Sequence, residues 1–140
     1  YDRRDVSGRA LANSYAQVLG VTFASASEKP LEVELCVAEL GETPAGDQLF
    51  RIAYDGAVAD ERDVAVIGGS AEAIAERLRE RHDPDATVAD ALAAALTALS
   101  PQGRPGVADL EVALLERARL PRRTFVRFDD ARVAELLGES

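Results

Sequence analysis

The stretch from Leu31 to Ser70 constrains the fold more than any other part of this chain, because it carries three strand patterns and a glycine step into a helix. Apolar and charged residues alternate from Leu31 to Val37, which is the two-residue period of a strand with one buried face. From Cys36 onward the other face turns apolar as well. We therefore expect this strand to run into a covered interior, with Cys36 as a buried structural thiol.

Two further apolar runs follow this first strand. Residues 49–53 end at Tyr54-Asp55-Gly56, and an Asp-Gly pair beside apolar residues favours a tight hairpin because both central residues tolerate a positive φ. Residues 64–67 form the third predicted strand, which ends at Gly68-Gly69-Ser70. Ser70 is the predicted cap of the next helix, from Ala71 to about His82.

Helical periodicity predicts three more helices. The first covers Val6–Phe23, and its predicted inward face consists of Leu11, Tyr15, Val18, Leu19 and Phe23. Another begins at Thr87, which forms a capping-box pattern with Asp90, and its predicted apolar stripe consists of Val88, Leu92, Ala95, Leu96 and Leu99. Strands are predicted over 110–114 and 124–128, and Asp129 opens the last helix.

The predicted order is one helix, three strands, two helices, two strands and one helix. Helices that arrive in blocks argue against a doubly wound nucleotide fold, and short connections favour mainly antiparallel sheets. The pattern predicts an α+β fold, and a layered helix–sheet–sheet–helix sandwich accommodates it. A chain of 140 residues that is 47% hydrophobic is expected to form a single domain over 1–140.

Charge and composition exclude several classes of function. A net charge of −9 argues against a nucleic-acid partner. A single cysteine excludes an internal disulfide and favours a cytoplasmic location. No apolar run approaches the roughly 18 residues that a membrane helix needs, so no membrane partner is expected.

No catalytic, cofactor-binding or metal-binding residue is predicted. One histidine and one cysteine provide no metal-ligand spacing. The amides of Gly68-Gly69-Ser70 could face an anion, but close helix–sheet packing explains the glycines better. Glu32 and Glu34 are interpreted as the solvated end of a strand, and His82 is interpreted as a surface cap at a helix end. The arginines of 117–127 are expected to form ion pairs with the acidic middle of this chain or of a neighbouring subunit.

Several segments together resemble one known family, the proteasome α subunits of actinobacteria. They are Tyr1–Arg9, Glu32–Glu39, Tyr54–Gly56, Gly68-Gly69, Leu110–Ala113 and Pro121–Arg123. The resemblance implies the C-terminal part of a four-layer α-β-β-α sandwich, the fold of N-terminal-nucleophile hydrolases. Because the family's N-terminal portion has no counterpart here, we expect a piece of a longer protein.

The resemblance also implies a function. It is that of a noncatalytic subunit in a seven-membered α ring, with other α subunits, β subunits, ring-shaped ATPase activators and protein substrates in transit as its partners. The family's pore-lining loop corresponds to Ser25, Ala26, Ser27 and Lys29, and the charged segment Tyr1, Asp2, Arg3, Arg4, Asp5 is a candidate contact between subunits.

Two alternatives remain open at the level of sequence. A β-like threonine peptidase needs an N-terminal Thr, Ser or Cys nucleophile, whereas residue 1 is Tyr1, and the family's supporting Asp-x-x-Ser-Gly-Gly motif is absent from residues 100–107. A stand-alone α/β ligand-binding module would instead require a stable monomer with a pocket.

Overall fold

The computed structural model describes residues 6–139, which fall into two compact units divided between Glu72 and Ala73. The order of helices and strands predicted from the sequence is confirmed. The assignment of 1–140 to one domain stays a prediction. The elements are α1 (Gly8–Ala24), β1 (Leu35–Glu39), β2 (Gln48–Ile52), β3 (Val58–Glu61), α2 (Ala71–Arg79), α3 (Val88–Leu99), β4 (Val112–Leu115), β5 (Phe125–Phe128) and α4 (Asp130–Leu137).

The first unit contains a three-stranded antiparallel sheet in the order β1-β2-β3. In its register Val37 lies opposite Phe50, and Phe50 lies opposite Asp60. The predicted hairpin is confirmed: the Ala53 N–H donates to the Ala57 carbonyl at 2.9 Å, and Gly56 adopts a φ of +87°. A positive φ at this position suits glycine, which has no Cβ to clash with its own backbone.

The third strand lies earlier in the chain than the sequence predicted. β3 follows the hairpin turn directly, whereas residues 64–67 form no strand, and Val64 is buried outside the sheet. The hairpin fixes this register, because a short turn places its second strand immediately after it. As an edge strand with one exposed face, β3 can carry Asp60 and Glu61.

The first strand is shorter than predicted, and it is covered on one face only. Residues 29–34 have no regular secondary structure, so Glu32 and Glu34 precede β1 instead of lying on a strand end. Leu35 and Val37 pack against the core of the unit. Cys36 is exposed as a residue although its thiol is partly buried, which contradicts the prediction of a fully buried thiol and of a covered second face.

Helix α1 packs on the sheet through small side chains. The core consists of Ala12, Ala16, Leu19, Phe50 and Ile52. Of the inward face predicted for this helix, only Leu19 is buried; exposed instead are Leu11, Tyr15, Val18 and Phe23. The prediction followed the largest apolar residues, but the close approach of helix and sheet leaves space only for alanines beside Phe50.

The second unit combines three helices with a two-stranded antiparallel sheet, in which Val112 lies opposite Phe128. The predicted caps of α3 and α4 are confirmed, since Thr87 Oγ1 accepts from the Asp90 N–H and the Asp129 carboxylate accepts from the Arg132 N–H. The predicted cap of α2 is wrong, because Ser70 has a φ of +59° in place of the extended conformation of a cap. The largest fully buried side chain of this unit is Val133 on α4.

The apolar stripe predicted for α3 is only partly buried. Leu96 is buried, Leu92 and Ala95 are half-buried, and Val88 and Leu99 at the two ends are exposed. Together the two units show the helices and antiparallel sheets of an α+β fold.

Candidate functional site

The loop after α1 is the site that the sequence singles out, and local hydrogen bonds shape it. The Ser25 N–H donates to the Thr22 carbonyl at 3.3 Å as the helix ends. The Ser27 N–H then donates to Ser25 Oγ at 3.3 Å, and the two hydroxyl oxygens lie 3.2 Å apart. Short serine side chains that bond to a neighbouring amide stabilise tight bends of this kind. The structure therefore brings Ser25 and Ser27 together in one compact bend.

The side chains of this loop face solvent in the first unit. Ser25 is half-buried, whereas Ala26, Ser27 and Lys29 are exposed. Within residues 6–139, no carboxylate pairs with the Lys29 ammonium. The loop thus presents two hydroxyls, a methyl group and a positive charge.

The start of α1 is held on the sheet by a carboxylate. The Gly8 N–H donates to Glu39 Oε2 at 2.6 Å, and Arg9 bonds to Asp60 at 2.9 Å. A carboxylate at a helix N-terminus pairs with unsatisfied amides and with the positive end of the helix dipole. A Cβ at Gly8 would lie 2.7 Å from that same oxygen, so glycine allows the approach.

The second half of α1 rests directly on the hairpin turn. A Cβ at Gly56 would lie 2.6 Å from the Ala16 carbonyl oxygen and 2.8 Å from the Gly20 Cα. Backbone therefore touches backbone between the helix and the turn. Because α1 is held at its first turn and along its second half, the hairpin and Glu39 determine where the bend at Ser25–Ser27 lies.

An open groove of about 720 Å³ lies in the first unit; it is lined by Glu32, Val33, Glu34, Tyr54, Ile67 and Gly68. The Tyr54 ring also meets Phe23 of α1 edge-on, with ring centroids 5.6 Å apart. The Gly68 N–H donates to Glu34 Oε2 at 2.8 Å. The amide that could have faced an external anion is therefore already bonded to a carboxylate of the same unit. Glu32 is exposed and does not share this bond, so the two carboxylates do not act as a pair.

The single cysteine, Cys36, belongs to the first unit, and the single histidine, His82, belongs to the second. Partial burial of the thiol, and then the negative charge of Glu61, raise the pKa of Cys36, which favours the unreactive thiol over the thiolate. His82 is exposed beyond the end of α2, and its N–H donates to the Arg79 carbonyl at 3.3 Å. Over residues 6–139, no cluster of His, Cys, Asp and Glu could hold a metal ion. No helix in this described range is long and apolar enough to cross a bilayer.

The arginines near the C-terminal end find several of their partners inside the second unit. Arg119 pairs with Glu116, Arg127 with Glu111 at 2.7 Å, and Arg132 with Glu135 at 2.6 Å. These pairs are local, and pairing of the arginines with the acidic middle of the chain or with a neighbouring subunit stays a prediction. The segment Tyr1–Asp5, a candidate contact between subunits, lies outside the described residues.

Sequence reasoning missed the outer surface of α1, where Leu11, Tyr15 and Val18 are exposed, together with Val21. A signal for it was present, because Gly8, Ala12, Ala16 and Gly20 recur at intervals of four. Such a row of small residues indicates close packing on that side of a helix. It leaves the bulkier apolar side chains for a different neighbour.

The helices and antiparallel sheets of the two units are consistent with one family. The sequence profile of that family, described as "Proteasome subunit", matches residues 1–103. The chain belongs to the proteasome subunit family.

Several of its curated relatives are α-type subunits of actinobacteria. Proteins named "Proteasome subunit alpha" are 52% identical in a Nocardioides species, 48% in Acidothermus cellulolyticus and 46% in Thermobifida fusca. These alignments cover 99%, 98% and 100% of this chain but 56%, 61% and 57% of the respective relatives. The chain thus spans somewhat more than half the length of the curated relatives it matches. The resemblance seen in the sequence is confirmed.

Proposed function

We propose that this chain acts as a noncatalytic ring subunit of a proteasome core particle. In this role it templates assembly with β subunits, restricts the access of substrates to the chamber and offers a docking surface to ring-shaped ATPases in the cytoplasm. The observation that carries the proposal is the 46–52% identity, over nearly all of the chain, to relatives named as α subunits. The four-layer α-β-β-α sandwich belongs to the same proposal, and the two antiparallel sheets support it.

An exposed apolar surface supports assembly into a larger particle. Side chains on α1 that monomeric proteins usually cover are exposed by 40% at Leu11, 46% at Tyr15, 58% at Val18 and 66% at Val21. Contiguous apolar surface of this kind marks sites of association. A subunit packed between neighbours would cover it.

Native mass spectrometry of the complete gene product tests the assembly. We expect a seven-membered ring from the protein alone and a stacked four-ring particle when a candidate β subunit is co-expressed, with peptidase activity only when β is present. A discrete monomer that ignores β would overturn the proposal and favour a ligand-binding module that uses the groove at Tyr54. Peptide hydrolysis without β would favour the β-like peptidase.

The proposal assigns the pore lining to Ser25, Ala26, Ser27 and Lys29, and it keeps Tyr1–Asp5 as a contact between subunits. In the assembled particle, Ser27→Trp adds a large ring at the exposed bend and should slow degradation of an unfolded protein several-fold. Hydrolysis of a short peptide should stay unchanged, because a short peptide passes a narrower opening. Ser100→Trp, at the end of α3, is the matched control. Equal effects of the two variants would remove the loop from the pore.

A further inference from the structure

The segment Arg117–Arg123, which we call the arginine turn, is the most positively charged stretch of this acidic chain. It carries four arginines in seven residues, although the whole chain has a net charge of −9. An open cavity of about 550 Å³ lies at the turn and is lined by Ala118, Arg119, Leu120, Pro121, Arg122 and Arg123. A positively charged, concave surface is suited to carboxylates.

Two arginines of this turn form no ion pair with a carboxylate of the described residues. Arg119 is paired with Glu116, whereas no carboxylate within residues 6–139 pairs with the guanidinium of Arg122 or Arg123. Leu120 lies between Arg119 and Arg122 in the sequence, with 41% of its surface exposed. Arginines around an exposed apolar side chain are a composition typical of protein interfaces.

Backbone hydrogen bonds hold the arginine turn in one conformation. The Leu120 N–H donates to the Arg117 carbonyl at 3.0 Å, and the Arg122 N–H donates to the Arg119 carbonyl at 2.8 Å. Where the turn joins the sheet, the Glu116 N–H donates to the Thr124 carbonyl at 2.9 Å. A preorganised turn loses little conformational entropy on binding, which favours a docking role.

The complementary charge lies in the first unit of the same sequence. Residues 6–72 carry eleven carboxylates against four basic side chains, a net charge of −7. At least six of those carboxylates are engaged in local hydrogen bonds or ion pairs: Glu34 with Gly68, Glu39 with Gly8, Asp47 with Gly41, Asp55 with Ala57, Asp60 with Arg9 and Glu61 with Arg51. Glu28 and Glu32 are exposed in one short segment, and neither has a hydrogen bond or ion pair in the described part of the chain.

We propose that the arginine turn docks on the Glu28–Glu32 segment of a second copy of this chain, with Arg122 and Arg123 pairing with the two glutamates. This inference deepens the proposed ring and rests on it for the presence of neighbouring copies. Paired charges of opposite sign set the register of an interface and speed its formation, whereas like charges prevent a wrong pairing. A second copy is favoured over other acidic proteins because the chain carries both complementary surfaces itself.

Charge reversal tests this contact in the complete gene product, with self-association measured by sedimentation at about 0.1 M salt. The double variants Arg122→Glu/Arg123→Glu and Glu28→Arg/Glu32→Arg should each raise the dissociation constant at least tenfold. Arg62→Glu/Arg81→Glu makes the same change in net charge at two exposed arginines elsewhere, and it should have little effect. Far-UV circular dichroism confirms that each variant is folded.

Mixing the two reversed variants is the decisive step. Each variant alone opposes like charges, but in the mixture the reversed turn of one meets the reversed segment of the other. Association should therefore return as open complexes in which the two variants alternate, because a closed ring of seven cannot alternate two variants at every contact. Pairing within one chain would give no such recovery, and an absence of recovery would overturn the inference.

The remaining outcomes separate this inference from the proposed ring. Seven-membered rings that form equally well with Arg122→Glu/Arg123→Glu would overturn the docking contact and leave the ring standing. Complexes of another size that depend on both charge pairs would overturn the ring and leave the contact standing. A parent chain that stays monomeric at all concentrations would overturn both.

Discussion

Replacing Gly56 by alanine should strongly destabilise the first unit. Two costs combine at this position. An alanine at φ +87° is strained by about 1–2 kcal/mol. Its Cβ would also lie 2.6 Å from the Ala16 carbonyl oxygen and 2.8 Å from the Gly20 Cα, and both are backbone atoms that cannot rotate away. Overpacking of this kind costs about 1–3 kcal/mol, so the expected loss is about 2–5 kcal/mol.

Two other glycines separate these costs. Gly138 has a φ of +68° but nothing within 4 Å of its added Cβ, so Gly138→Ala should lose about 1–2 kcal/mol from strain alone. Gly69 has open space and no positive φ, so Gly69→Ala should be neutral or stabilise by about 0.4–1 kcal/mol. Gly56→Asn tolerates the positive φ better than alanine but keeps the clash.

Urea unfolding followed by circular dichroism measures the free energy of each variant. The argument for a backbone clash predicts that Gly56→Ala costs clearly more than Gly138→Ala, and that Gly56→Asn remains costly. Equal losses for Gly56→Ala and Gly138→Ala would show that α1 does not rest on the hairpin as described. A fully rescued Gly56→Asn would show that strain, without a clash, accounts for the effect.

Three further predictions concern local contacts. Glu39→Gln removes the charge that holds the first turn of α1 and should lower the free energy of unfolding by about 1 kcal/mol, whereas an unchanged urea midpoint would contradict this role. Thr87→Ala removes the cap of α3 and should cost about 1 kcal/mol, whereas Thr97→Ala, which removes only a hydroxyl bonded to the Ala93 carbonyl, should be nearly neutral; similar losses would count against the cap. The raised pKa of Cys36 leaves less thiolate at a given pH than a free cysteine has, so alkylation of Cys36 should require more alkaline pH. Glu61→Gln should shift the dependence of the alkylation rate on pH back toward lower pH. A pH dependence that does not shift would exclude Glu61 as a cause of the raised pKa.

Local patterns were sufficient to predict the order of elements, the hairpin and two of the helix caps. Each depends on a few adjacent residues, such as Asp55-Gly56 or Thr87 with Asp90, whose hydrogen bonds form within the segment itself. The position of β3 depends instead on the geometry of the turn before it. The apolar run 64–67 looked more like a strand than Val58–Glu61, which carries two acidic residues.

The inner face of α1 could not be predicted from hydrophobicity alone. Side-chain size determines which residues of α1 face the sheet, because Phe50 and Ile52 fill the space beneath the helix and leave room only for small residues such as Ala12 and Ala16 beside them. The carboxylate at the helix start and the bond from Gly68 to Glu34 join residues more than thirty positions apart. No local pattern encodes such pairs, so this part of the site needed the structure.

The small-residue side of α1 has a consequence for how this sequence can vary. At Ala12 and Ala16 a larger side chain pushes the helix off the sheet, so folding restricts these two positions to the smallest residues. At Leu11 and Val18 a polar substitution costs the isolated unit almost nothing, so any constraint on these positions comes from whatever covers them. Folding therefore limits variation on the small-residue side of α1, whereas the neighbour that covers the other side limits variation there.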